Sequence, residues 1–230
     1  MNSTGKAVII ILCAVVLFTS SMFGTIAFFT STDKVETTFT IGKVKVAVTE
    51  AKINSNGVKT TDERVMSNKV QMTPGTTYTK DPTVTILAGS ESAYVRMIVT
   101  INKIKYLDEV YKNIKISNTE QYYSKFNFNH FFDNSVNHNY WEFIKEVDSA
   151  EDSSRSFEFR YKQATSATSE DKNLEPLLLK YKIPGEIDTS RMDGFTIKIV
   201  AHAIQAAGFN DDVGVAWESF EAQINASSTD

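Results

Sequence analysis

The 230-residue chain carries 24 Lys and Arg against 28 Asp and Glu, a formal charge of −4, with 42% apolar residues. That balance excludes a basic nucleic-acid binder, and the length suffices for one large domain with a real core. The single cysteine, Cys13, lies in the N-terminal apolar stretch, so the rest of the chain has no disulfide to form.

Lys6 precedes an apolar block, Ala7 to Phe18, followed by Thr19-Ser20-Ser21 and Gly24-Thr25-Ile26-Ala27. One positive charge, a short hydrophobic region and small residues near its end predict a secretory signal peptide over residues 1–27, cut between Ala27 and Phe28. Cleavage removes Lys6 and no acid, leaving 23 basic against 28 acidic residues and a formal charge of −5. The expected location is secreted, in the extracellular matrix or at the cell surface. The alternative is an uncleaved anchor, since Ala7–Phe29 is 23 residues long, enough to span a bilayer. Membrane contact is expected only through that uncleaved leader. A lipid-attachment role for Cys13 is a poor fit, because Leu12 stands where a small residue is needed. The polar end Asn225–Asp230 offers no wall-sorting signal.

Phe39 to Thr49 reads as a strand, with Val44, Val46 and Val48 alternating against Lys43, Lys45 and Ala47. Asn56-Gly57 predicts a type I′ hairpin and Pro74-Gly75 another turn. Tyr78–Leu87 and Ala93–Ile101 read as strands. In the second, Val95, Met97, Val99 and Ile101 share one face, opposite Tyr94, Arg96, Ile98 and Thr100. Leu107, Val110, Tyr111 and Ile114 recur at helical spacing. Residues 103–170 read as an insertion or variable region, with Ser149–Ser156 and Thr165–Asn173 as exposed loops. Phe157–Tyr161, Leu177–Ile183 and Phe195–Ala203 are further strands. Val213, Ala216, Trp217, Phe220 and Ile224 define a last helix, capped by Asn210, with Trp217 as a core anchor. Short strands without a βαβ rhythm predict a mainly β protein: an antiparallel, jelly-roll-like β-sandwich over residues 28–230, with a few short peripheral helices.

Nine aromatics fall between Tyr122 and Phe143. They are expected chiefly to form a small core of the insertion. The competing reading is a stacking surface for glycans or protein, with Tyr140 and Trp141 as its candidates. His130, His138 and His202 show no metal-ligand spacing, and no nucleophile elbow occurs. Asp188-Thr189-Ser190 lacks the following glycine of an aspartic-protease motif, and Asp148, Glu151 and Asp152 lack calcium-loop spacing. No catalytic residue, metal ligand or cofactor is expected, and the chain reads as non-enzymatic.

Gly24–Phe29, with Thr38-Phe39-Thr40-Ile41-Gly42-Lys43-Val44 after it, resembles the start of exported proteins of the TasA/camelysin family. Lys80-Asp81-Pro82-Thr83-Val84, Ala93-Tyr94-Val95-Arg96-Met97, Ala201–Ala206 and Ala216-Trp217 resemble further strings of that family, over about two thirds of the chain but not residues 103–170. The resemblance implies a jelly-roll-like sandwich and processing by a signal peptidase of the SipW type, in Gram-positive bacteria. It implies a biofilm-matrix protein that polymerises or, for the camelysin branch, a surface metalloprotease. The missing zinc-ligand motif argues against the protease. A monomeric adhesin or glycan-binding surface protein is the other alternative. For the structural role, Phe28, Phe29, Thr30, Ser31 and Thr32 form an apolar then β-branched segment suited to adding as a strand to a neighbour's sheet edge, giving self-association into fibres or with other matrix proteins.

Overall fold

The β-rich pattern of the sequence folds into two main sheets facing one core. A computed structural model describes residues 39–41, 44–209 and 212–227. The predicted cleavage site Ala27–Phe28, the assembly segment 28–32 and the proposed cap Asn210 lie outside the described residues.

The larger sheet runs in the order β1 (Phe39–Ile41), β12 (Ile197–Gln205), β6 (Ser90–Ile101), β8 (Ser154–Tyr161), β7 (Trp141–Ser149), and β9 (Thr165–Ala167) also pairs with β6. The period-2 pattern of β6 explains its central place. Val95, Met97, Val99 and Ile101 are all fully buried on the inner face. The smaller sheet runs β10 (Lys172–Asn173), β5 (Thr83–Ile86), β2 (Val46–Ile53), β3 (Lys59–Val65). Its Val46, Val84 and Ile86 meet the β6 side chains in one continuous core. β4 (Thr77–Thr79) pairs with β11 (Lys180–Lys182), where Tyr78 and Tyr181 stack at 5.2 Å. This is a mainly antiparallel β-sandwich with few helices. One pairing departs from that rule: β1 lies parallel to β12, Phe39 opposite His202.

Several predicted elements are redrawn. The strand expected over Phe39–Thr49 divides between sheets, because β1 joins the larger one and β2 the smaller. Alternation reports which residues share a face, not which neighbour supplies the hydrogen bonds. The Asn56-Gly57 hairpin is not type I′, since only Gly57 has a positive φ (76°). Gly57 N donates to Asn54 O at 2.9 Å and Asn54 N to Val58 O at 3.0 Å, a type I turn followed by a left-handed glycine. Tyr78–Leu87 breaks into β4 and β5 at Lys80-Asp81-Pro82, where Pro82 has no donor and Asp81 Oδ1 accepts from Ala51 N at 2.5 Å. Leu177–Ile183 shortens to β11, while Leu177 and Leu178 stay fully buried.

Residues 103–170, read from the sequence as an insertion or variable region, are built into the sandwich. They supply α1 (Ile104–Tyr111), α2 (Phe128–Phe131) and β7, β8 and β9 of the larger sheet. Ser149–Ser156 is the β7–β8 hairpin, with Ser153 at φ 52°, and Thr165–Asn173 contains β9 and β10. Buried Arg155 ties that hairpin to α1 through Asp108 at 3.1 Å and also pairs with Asp148. The aromatic segment joins the main core rather than forming one of its own: Phe128 lies 4.5 Å from Phe157, and Phe131 lies 5.8 Å from Tyr181.

The outer face of the larger sheet is covered at one end by α3 (Val213–Ser227). Tyr94 and Ile204 meet Ala216, Trp217 and Phe220 in a second, smaller cluster, so Trp217 is the expected anchor. Asp212 caps this helix, accepting from Val215 N at 3.1 Å. No helix among the described residues is long and apolar enough to cross a membrane.

Candidate functional site

β7 and β8 face the loop that leads into α2. A cavity of about 350 Å³ opens there. Phe126, Phe157 and Phe159, all buried, line it together with half-buried Phe128 and exposed Phe143, and the buried rings are its inner part. Phe157 and Phe159 point inward because they oppose Val99 and Met97 in the β8–β6 register. Phe143 pairs with Phe159 across β7–β8, yet it is 46% exposed. Ser124, Asn127, Asn129 and His138 also line the cavity. Lys125 pairs with Glu146 and so ties the loop to β7. Asn127 Oδ1 accepts from His130 N at 2.8 Å, capping α2 and holding the loop in place.

Of the two residues expected at an interaction surface, Tyr140 is 43% exposed, but Trp141 is fully buried. The Trp141 indole N–H donates to Glu175 O at 2.8 Å and its ring meets Tyr161 edge-on. It is a core residue, so the expected Tyr140–Trp141 pair is not a shared surface. The pairing in sequence hid this, since adjacent strand residues face opposite sides. The exposed aromatics are instead Tyr122, Tyr140 and Phe143.

A second constellation lies under α3. Arg96, 2% exposed, places its guanidinium 4.5 Å from the Trp217 ring centroid and 4.9 Å from that of Phe220. Its Nη1 lies 2.5 Å from Glu221 and 3.7 Å from Glu158, and its Nε donates to His202 Nδ1 at 3.1 Å. Glu158 is shared with Arg160 at 2.8 Å and Lys145 at 3.7 Å. Burial, reinforced by the Arg96 charge, pushes the His202 pKa down to about 4 despite Glu221 and Glu158 nearby. The imidazole is therefore neutral at pH 7 and serves as an acceptor. Three of the strings that carried the family resemblance meet here, through Arg96, His202 and Trp217. The available signal was an arginine on a strand face otherwise occupied by Tyr94 and Ile98.

Several of the other candidates have structural partners. Tyr111 OH lies 3.2 Å from His130 Nδ1, and burial lowers the His130 pKa. Asp188 Oδ1 accepts from Ser190 N at 3.0 Å and from Ser190 Oγ at 2.7 Å, which starts the 3-10 turn Thr189–Met192. Asp152 accepts from Ser154 Oγ at 2.8 Å. In the Lys80-Asp81 string, Lys80 pairs with buried Glu50 at 2.5 Å and Asp81 with Arg64 at 3.1 Å, so both charges clamp strands together. Among the described residues no three His, Asp, Glu or Cys side chains gather as a metal-ligand set. Family models, curated proteins and solved structures give no match to this chain.

Proposed function

We propose that this chain is an exported structural protein of the cell surface or extracellular matrix, whose subunits join by strand addition. The observation that carries the reading is the end of the larger sheet. β7 is a nine-residue edge strand that pairs only with β8 among the described strands, and it leaves Phe143 46% and Val147 54% exposed. An uncapped edge of this length is a template for another strand. A break in register between Phe143 and Lys145, together with the charges of Glu142, Lys145 and Asp148, disfavours indiscriminate pairing and selects for a matched segment. The Phe28–Thr32 segment, uncharged and β-branched, has the composition of such a partner. Export by a signal peptidase of the SipW type, as the TasA/camelysin resemblance implies, would release it.

A contact between the N-terminal segment of one copy and the sheet edge of the next is heterologous and propagates. Purified protein beginning at Phe28 is expected to form fibres visible by electron microscopy. Deleting residues 28–34 is expected to leave the circular dichroism spectrum unchanged and to abolish the fibres. Undiminished fibres from the shortened protein would rule strand addition by this segment out.

A further inference from the structure

We infer that the cavity between β7, β8 and the 123–129 loop is a binding site for a neutral saccharide, independent of whether the chain forms fibres. The floor is a set of phenyl rings, and Phe143 stands at its side with nearly half its surface free. An apolar floor alone accepts any greasy group. The rim decides among them.

Asn127, Asn129, Ser124 and His138, which carry two amides, a hydroxyl and an imidazole and are exposed or half-buried, also line the cavity. An acyl chain would cover these donors and acceptors without replacing their hydrogen bonds to water, which penalises it. Among the described residues that line the cavity the lysine is Lys125, and it is already paired with Glu146. That pair cancels its own charge, so Lys125 is not free to hold a phosphate or carboxylate. What suits a hydrogen-bonding rim above an aromatic floor is a ring with one C–H face and several hydroxyls: a pyranose. A cavity of about 350 Å³ lies at the small end of ligand sites, fitting one or two sugar rings. The Asn127 carbonyl oxygen is committed to the α2 cap, so its amide hydrogens are the donors it offers. The Lys125–Glu146 pair contributes both a donor and an acceptor to adjacent hydroxyls.

The test uses the protein lacking residues 28–34, expected to stay folded without forming fibres, titrated with β-linked oligosaccharides of glucose and of N-acetylglucosamine and followed by calorimetry and by NMR of side-chain amides. Saturable binding to at least one of these is expected, with shifts of the Asn127 and Asn129 amide signals. Phe143→Ala, at a half-exposed position, is expected to weaken that binding about tenfold with the fold intact. Tyr122→Ala, an exposed aromatic outside the cavity, is expected to bind as well as the parent. The inference is overturned if no saturable binding occurs up to about 10 mM, a weak limit for any specific site. It is equally overturned if Phe143→Ala binds unchanged, or if phenol binds the cavity and the sugars do not, which would make it a socket for an aromatic side chain.

Discussion

His202 shows how much one side chain's surroundings decide. Its ring lies 5.0 Å from Phe220 and accepts from Arg96, and its pKa falls to about 4. In the unfolded chain the same imidazole titrates near 6.5. The folded pKa is the lower one, so protons favour the unfolded state. The stability tied to His202 is whole above about pH 6.5, declines as pH falls and is gone below about pH 4. The full swing is on the order of 3 kcal/mol. Urea denaturation between pH 7 and 4 is expected to show this slope. His202→Gln keeps an acceptor for Arg96 but cannot titrate, so it is expected to flatten that part of the profile. A slope identical in both proteins would place the acid sensitivity elsewhere.

Elements here are bounded by particular contacts as much as by propensity. The β2–β3 hairpin depends on Gly57 twice over. Its φ of 76° suits glycine, and a Cβ at that position would stand 2.1 Å from Tyr78 Cδ1. Tyr78 cannot retreat easily, because it stacks on Tyr181 and its hydroxyl accepts from Thr73 N at 2.8 Å while donating to Gln71 O at 2.9 Å. Gly57→Ala is therefore expected to lower stability by about 3 kcal/mol, read as a fall in the thermal midpoint. An Asn-Gly dipeptide correctly announced a hairpin. The turn type was not legible, because Asn56 keeps an ordinary φ once Asn54 Oδ1 accepts from its N–H at 3.0 Å. The helix of residues 213–227 was legible from its apolar spacing, since five residues on one face need only helical geometry to align.

Across the whole molecule, the aromatic stretch is where expectation and structure diverge most. Phe126, Phe131, Phe132 and Trp141 are buried in the core shared by both sheets, while Tyr122, Tyr140 and Phe143 remain exposed. Trp141→Ala is expected to cost about 3–5 kcal/mol in urea unfolding, from the cavity and the stranded Glu175 carbonyl. Tyr140→Ala is expected to stay within about 0.5 kcal/mol. Similar losses from both would mean the two rings share one environment, contrary to their burial. The same division builds the proposed saccharide site, because its floor comes from the rings turned inward and its accessible side from the one left at the edge.

Alternation and turn residues alone determined the mainly β class, a strand over Ala93–Ile101, the two principal helices and the role of Trp217 as an anchor. These properties are local: a period of two or of 3.6 assigns side chains to faces before any neighbour is chosen. Strand partners, the division of residues 39–53 between two sheets, and the membership of residues 141–167 in the larger one came only with the tertiary structure. So did the meeting of Arg96, Glu158, His202 and Glu221, and the cavity beside Phe143. Each joins residues far apart in the chain, and pairing, burial and shared charge belong to the packed molecule, where one face has found a particular other face and excluded water from between them.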